Sequence, residues 1–189
     1  MTSSVLPALS LYQPWASLIA SGHKIVETRT WRPHADLIGH RMAFASTGTM
    51  PKEAKDALRH GTPGFQALLD AAREAGFEVA WDKRKLIHNL PLGKVLCTAR
   101  IAGAYPMIDA AAAAGEVPER CLLVAPRRLL IVRPEGDLDV SHQRPYGLFE
   151  PGRVAWLLDS VRPVVGDHPA HGRQGVWNWR PSGIFESLQ

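Results

Sequence analysis

Residues 13–31 read QPWASLIASGHKIVETRTW, and two local patterns within this stretch set the expected architecture. Pro14 suits the first position of a helix, and Gly22 suits the left-handed position that follows the last turn. Trp15 and Leu18 recur at helical spacing with apolar neighbours. These features predict a short, two-turn helix whose apolar face packs on a core.

The second pattern is the strand that follows the helix. Side chains alternate from Lys24 to Trp31, with Ile25, Glu27, Arg29 and Trp31 on one face and Lys24, Val26, Thr28 and Thr30 on the other. Charges on a strand face shared with apolar residues are costly unless they are paired or line a cleft. One interpretation is an internal salt bridge of Glu27 with Arg29 or Lys24. The other is a polar cleft in which Lys24 and Arg29 meet an anion while Glu27 orients a donor or moves a proton.

The rest of the chain contains short apolar segments separated by Pro and Gly. Strands are expected at 9–11, 41–46, 93–103, 153–161 and 175–179, and helices at 51–58, at 63–75 and in the Ala-rich run 110–114. A charged link is expected at 82–85, and a polar loop at 135–144. The strands do not alternate strictly with helices. We therefore expect an α+β fold, a small β-barrel with peripheral helices, and not a doubly wound sheet.

Composition excludes several classes of protein. The chain has 189 residues, 46% hydrophobic and 21% charged, which is typical of one globular domain and not of a disordered, collagenous or coiled-coil chain. Its net charge is +4, and the surplus lies in residues 1–100. Cys97 and Cys121 have apolar neighbours and no metal-ligand spacing, so we expect two core thiols. With no membrane span and no signal peptide, we expect a soluble cytoplasmic protein.

The sequence lacks the strong catalytic and cofactor motifs. There is no GxSxG, phosphate-binding loop, GxGxxG or HExxH pattern. His168 and His171 are separated by Pro169, which disfavours helical pairing on a metal. We expect no metal and no cofactor.

Several dispersed motifs resemble the ASCH family, the activating signal cointegrator homology domain. They are Leu9–Ile19 with its Gln-Pro-Trp, the GxKxxExR pattern of Gly22, Lys24, Glu27 and Arg29 before Trp31, the strand Ala43–Ser46, the segment Gly93–Ala102, the Tyr146-Gly147 to Trp156 region, and the closing Gly172, Gly175, Trp177 and Trp179. The resemblance implies one domain over 1–189 with a barrel related to the PUA fold. Residues of about 51–90 and 106–142 would be insertions.

The resemblance also implies a cleft around the GxKxxExR motif and binding of RNA or another nucleic acid. Some bacterial members of the family are acetylcytidine amidohydrolases that use a Lys and, three residues later, a Thr. Here Lys24 matches the Lys, but Glu27 occupies the Thr position. Thr28 is one residue away, on the opposite strand face.

The candidate ligand-binding residues are Trp15, Lys24, Glu27, Arg29, Trp31, Ser46, Tyr146 and Arg153. Trp15 is either core or a stacking platform, and Ser46 either a backbone cap or a hydrogen-bond donor to ligand. Tyr146 and Arg153 are placed at the barrel mouth by the resemblance, although Arg153 would also pair with Glu150. If the protein is an enzyme, Lys24 and Glu27 are the catalytic candidates, with Ser46 as nucleophile.

Three functions therefore remain open from the sequence. The first is a module that binds RNA, other single-stranded nucleic acid, or a modified nucleoside. The second is a small hydrolase, either a ribonuclease or an amidohydrolase acting on an acetylated nucleoside. The third is a protein-interaction scaffold that uses the two insertions. No membrane partner is expected, and the sequence leaves the oligomeric state open.

Overall fold

Short runs of β-branched and aromatic residues make this a sheet-dominated fold. A computed structural model describes residues 5–50, 63–82, 85–113 and 117–181, together with Lys52, Lys55 and Asp56. The strands among these residues are β1 Leu6–Leu11, β2 Val26–Arg29, β3 Arg41–Ser46, β4 Val79–Asp82, β5 Lys85–His88, β6 Val95–Asp109, β7 Cys121–Ala125, β8 Arg128–Val132, β9 Leu138–Asp139, β10 Val154–Pro163 and β11 Val176–Trp179.

Helices are few in the described part of the chain. They are α1 Trp15–Ala20 and α2 Pro63–Glu74, with short 3-10 segments at Ala35–Leu37 and Ser141–Tyr146. This balance confirms a fold of mainly strands with a few helices. The helix expected at 51–58 lies largely outside the described residues. Neither α1 nor α2 has the length and apolar composition needed to cross a membrane.

One compact unit takes its residues from 1–23, 41–99 and 160–189. Its strands follow the order β11, β1, β3 and the first part of β6. β1 is antiparallel to β11 and parallel to β3. Its core combines small side chains such as Ala8, Ala43 and Ala45 with Val95 and Trp179. The small alanine side chains leave room for the large indole of Trp179 to pack against the same face of the sheet.

The second compact unit takes its residues from 24–40 and 100–159. Its part of β6 is parallel to β7, which forms antiparallel pairs with β8, and β8 continues to β9. β10 pairs antiparallel with β2, with Trp156 opposite Glu27. Its core includes Val26, Tyr105, Ile131 and Leu157. This unit holds the whole GxKxxExR motif except Gly22.

The described strands do not close into a barrel. Within each unit, the pairings among the described strands form open paths and not a ring. The interpretation of residues 1–189 as a single domain likewise stays a prediction.

The local expectations for helix α1 and the strands β3, β10 and β11 are confirmed in type. Pro14 precedes α1 instead of opening it, and Gly22 has a φ of +80°, as its place after the helix requires. β2 is shorter than the alternation suggested.

Two expectations are wrong. Residues 110–113 of the Ala-rich run form a turn after β6 instead of a helix, because the Asp109 carboxylate accepts the Ala111 amide and the Asp109 carbonyl accepts that of Ala113. The expected loop 135–144 includes β9 and the start of a 3-10 helix. The charged link expected at 82–85 falls between the antiparallel strands β4 and β5, whose end residues Asp82 and Lys85 are paired, and residues 83 and 84 lie outside the described part of the chain.

The alternation of apolar and polar residues along 93–103 predicts that Thr98 and Arg100 face outward. Thr98 is instead buried, and its Oγ1 accepts a hydrogen bond from Arg41. Arg100 is exposed as expected. A hydroxyl can be buried at little cost in free energy where it has a hydrogen-bond partner. The alternation of polar and apolar residues does not reveal such a partner.

Candidate functional site

The two faces of β2 have different roles. Val26 and Thr28 lie opposite Leu157 and Ala155, and Val26 belongs to the apolar core of this unit. Glu27 and Arg29 therefore point to the other face, because side chains alternate along a strand. The expected alternation of these four residues is confirmed. Lys24 lies before β2 begins, so strand alternation does not set its direction.

Lys24 is a buried ammonium with three acceptors. Its side chain is 1% exposed, and Nζ donates to the carbonyl oxygens of Val26 at 2.6 Å and Tyr146 at 2.7 Å. The third acceptor is Glu27 Oε2, 3.2 Å away. Burial lowers the pKa of Lys24, while the charge of Glu27 opposes that shift. Three protons on Nζ thus match three internal acceptors.

Glu27 links the two cations of the motif. Its Oε1 lies 3.0 Å from Arg29 Nε, and its side chain is 8% exposed. Both alternatives for the internal salt bridge are therefore present together, one on each carboxylate oxygen. Arg29 keeps 26% of its side chain exposed, so it is the most accessible charge of the three.

The outward edge of β2 is closed by side chains. The Ile25 carbonyl accepts a hydrogen bond from the Leu158 amide. In an antiparallel pair, every second residue directs its N–H and C=O groups toward the partner strand. The N–H and C=O groups of Val26 and Thr28 therefore point away from β10. Gln143 Oε1 accepts the amides of Ile25 at 2.8 Å and Val26 at 3.2 Å. Gln143 is fully buried.

Arg153 supplies another partner to the same edge. Its Nη2 donates to the Thr28 carbonyl at 3.3 Å, which is a contact with the backbone instead of the alternative pairing with Glu150. The Nε atoms of Arg153 and Arg29 are both buried, and neither has a hydrogen-bond acceptor among the described residues. For Arg29, the nearby Glu27 oxygen is an ion-pair partner but not a hydrogen-bond acceptor.

The Tyr146 segment packs directly on β2. Tyr146 contributes its carbonyl to Lys24, and the amide of Leu148 donates to Thr28 Oγ1 at 3.2 Å. A Cβ placed on Gly147 would lie 2.9 Å from Thr28 Cγ2, too close for a side chain. Glycine is therefore required for this close approach.

Trp31 continues the candidate site beyond β2. Its ring meets that of Trp156 edge to face, with centroids 4.8 Å apart, and Trp156 Nε1 donates to the Trp31 carbonyl at 3.3 Å. Trp156 is fully buried, as expected of a core residue, while Trp31 is half-buried. The contact fixes the Trp31 ring beside the strand that carries Glu27 and Arg29.

Trp15 and Ser46 belong to the other compact unit. Trp15 is half-buried at the start of α1. Ser46 is fully buried, and its Oγ donates to the Lys94 carbonyl at 3.3 Å and accepts the Lys94 amide at 3.2 Å. The Ser46 hydroxyl therefore joins the end of β3 to the start of β6.

Gln143 and Thr28 are the site residues that sequence reasoning missed. Gln143 lies in a polar segment with no hydrophobic period, and its partners are 117 and 118 positions away. Thr28 was assigned to the strand face opposite Glu27, but its hydroxyl and carbonyl both serve the site. No local pattern signals either role.

Charge is divided unevenly between the units. The unit that holds Lys24, Glu27 and Arg29 has ten basic and ten acidic residues, while the other has twelve and eight. Among the described residues, no three His, Cys, Asp or Glu side chains are grouped to hold a metal ion. Cys97 and Cys121 are free and buried, as expected of core thiols.

Part of the chain matches a known protein family. The model of the ASCH domain matches residues 9–102. That range contains the Gln-Pro-Trp segment, the complete GxKxxExR motif, Trp31 and Ser46, whereas Gln143, Tyr146 and Arg153 follow it. No curated protein matches the chain.

Proposed function

We propose, from the premise that residues 9–102 are an ASCH domain, that this protein binds RNA or another single-stranded nucleic acid through Arg29 and Arg153. The family suggests a nucleic-acid-binding or PUA-like module in general terms. The specific residues and the preference for RNA are our inference. A modified nucleoside that presents the same acceptor atoms would use the same contacts.

The observation that carries this proposal is the pair of buried guanidinium Nε atoms without acceptors among the described residues. Buried donors are nearly always hydrogen-bonded, and each exception calls for a partner. Phosphate oxygens and base carbonyls are the acceptors that a guanidinium binds best. Arg153 Nη2 donates to the carbonyl of Thr28, which precedes Arg29 in β2, and we infer from this neighbourhood that one bound nucleotide reaches both guanidinium groups.

Lys24 and Glu27 have a supporting role in this proposal. The Lys24 ammonium is engaged by three internal acceptors, so it holds β2 against Tyr146 instead of contacting a phosphate. Glu27 holds Arg29 from the buried side. Trp31, braced by Trp156, offers a ring on which a base can stack, a contact worth about 1–3 kcal/mol.

The remaining assignments extend the same proposal. We assign the whole of residues 1–189 to one domain with a PUA-like barrel architecture and with insertions of about 51–90 and 106–142. The side chain of Tyr146 would lie at the mouth of that barrel, while Ser46 would join β3 to β6 through Lys94. We place the protein in the cytoplasm, where Cys97 and Cys121 would stay reduced.

The hydrolase alternative would use Lys24 as a base, Glu27 as the proton carrier and Ser46 as nucleophile. A lowered pKa favours a basic role for Lys24, but the lone pair of a neutral amine would face three acceptor oxygens. The hydroxyl of Ser46 is also engaged by Lys94. These contacts favour binding over catalysis. The scaffold alternative, which places function in the insertions, has no specific support among the described contacts.

The test is a titration of a short single-stranded RNA oligonucleotide at about 50 mM and about 200 mM salt. Arg29→Ala and Arg153→Ala should each weaken binding roughly tenfold or more, because each removes a charge-assisted hydrogen bond. A lost phosphate contact also reduces the slope of log K against log salt by about 0.7.

Arg32→Ala is the matched control, since Arg32 is exposed and lies in the same unit. It should change affinity by less than about twofold. The proposal would be overturned if Arg29→Ala, Arg153→Ala and Arg32→Ala lost RNA affinity equally, or if none of them lost it. The same RNA is also analysed on a gel, and release of acetate from acetylcytidine is assayed. If the wild type turns over either substrate and a folded Lys24→Ala variant does not, the protein is a hydrolase and the proposal of binding alone is wrong.

A further inference from the structure

We infer that Gln143 is a positioning residue of the proposed binding site, which sets Arg29 by fixing the first residues of β2. The expected effect of Gln143 on RNA binding rests on the proposed function, whereas its effect on the position of Arg29 does not. Gln143 is fully buried, and it belongs to the 3-10 segment Ser141–Tyr146. Its Oε1 takes the two consecutive amides of Ile25 and Val26.

Four successive contacts connect Gln143 to Arg29. The Gln143 amide oxygen holds the backbone at Ile25 and Val26, and the Val26 carbonyl in turn accepts Lys24 Nζ at 2.6 Å. Lys24 then holds Glu27, which lies 3.0 Å from Arg29 Nε. Gln143, Val26, Lys24 and Glu27 are all buried, so little room exists for compensating movement between them.

Loss of the Gln143 acceptor would leave two backbone amides unsatisfied at the point where β2 begins. A buried N–H group without an acceptor destabilises the folded state, so this end of the strand would shift toward solvent, where water can accept the hydrogen bond. Because β2 carries Glu27 and Arg29 on one face, the shift would misplace the guanidinium without removing it. The expected effect is therefore weaker binding with Arg29 chemically intact.

The experiment compares Gln143→Met with Ser141→Ala. Methionine has a similar length and lacks the amide oxygen. Ser141 lies in the same 3-10 segment, and its Oγ accepts the Leu129 amide at 3.0 Å, so its loss removes a comparable bond that does not serve β2. Both variants should lose some thermal stability.

Nuclear magnetic resonance of the Arg29 Nε–H group provides the readout that does not depend on binding. Gln143→Met should move this resonance and increase hydrogen exchange at Ile25 and Val26, while Ser141→Ala should leave both unchanged. Unchanged Arg29 and β2 signals in Gln143→Met would overturn the inference, whatever happens to stability.

RNA binding provides the second readout. Gln143→Met should weaken it roughly tenfold in the wild-type background but less than about twofold in an Arg29→Ala background, since coupled residues are not additive. Equal losses in both backgrounds would overturn positioning through Arg29. If the wild type binds no RNA, the proposed function fails, and the resonance of Arg29 alone decides the positioning role.

Discussion

Lys24 Nζ donates a hydrogen bond to the carbonyl oxygen of Tyr146 at 2.7 Å, across 122 positions of sequence. This contact joins the GxKxxExR motif to a segment that lies outside the matched range of the family model. The lysine of the motif therefore needs a hydrogen-bond acceptor from a segment that is distant in the sequence. Its lysine acts first as a structural cation, and its arginine remains accessible at the surface.

Replacement of Lys24 by Met should cost about 3–5 kcal/mol of unfolding free energy, because it removes the cation next to a buried Glu27 carboxylate. Urea denaturation measures the loss. The double variant with Glu27→Gln should recover most of it, since no uncompensated carboxylate remains.

Lys94→Met is the control for that series. Lys94 pairs with Asp167 at 2.8 Å, but the two side chains are 43% and 67% exposed. An exposed pair contributes about 0–1 kcal/mol. If Lys24→Met and Lys94→Met destabilised the protein equally, the structural role assigned to the buried lysine would be wrong.

Gly147→Ala should destabilise the protein by about 1–3 kcal/mol, because the new methyl group overlaps Thr28 Cγ2. Thr28→Ser removes that methyl carbon and keeps the hydroxyl that accepts the Leu148 amide. The double variant should therefore be more stable than Gly147→Ala alone. Gly48→Ala, with no atom within 4 Å of the added Cβ, is the neutral comparison in thermal unfolding.

Local patterns predicted the part of the site that one strand contains. The period of two along β2 is fixed by backbone geometry, so Glu27 and Arg29 were correctly placed on one face. Gln143 was missed because its contact with Ile25 depends on how distant segments pack. The sequence distance alone gives no signal for such a bond.

Boundaries failed for a related reason. β6 was expected to end near residue 103, but it continues to Asp109, because pairing with β7 at Met107 and Ile108 extends it. Tertiary pairing of this kind overrides local propensity. Residues 110–113 form a turn for a local reason, since hydrogen bonds to Asp109 hold them and the Ala-rich run is too short for a stable helix without packing.

Cys97 should be unreactive in the native protein. Burial raises the pKa of its thiol to about 12, from 9.0 when unperturbed. The folded state thus favours the neutral thiol, and this contribution to stability is complete below pH 9.0 and declines as the pH rises through about 12. The unfolded thiol ionises first, so alkaline pH favours unfolding.

A thiol reagent at about pH 8 measures this directly, since only thiolate reacts. Neither Cys97 nor Cys121 should react in the native chain, because both are buried and burial also raises the pKa of Cys121. Both should react after denaturation in guanidinium. Rapid labelling of native Cys97, located by peptide mapping, would contradict the buried environment of β6.

Ser46→Ala separates the binding interpretation from the hydrolase interpretation. The hydroxyl of Ser46 accepts the Lys94 amide at 3.2 Å, so its removal strands a backbone donor and should cost about 1–3 kcal/mol of unfolding free energy. Under our proposal, RNA affinity of the folded variant changes by less than about twofold, because Arg29 and Arg153 lie in the other compact unit. A Ser46 nucleophile predicts the opposite result, in which turnover of RNA or acetylcytidine disappears while the variant stays folded. Denaturation, RNA titration and the two activity assays on one preparation therefore assign the hydroxyl to structure or to chemistry.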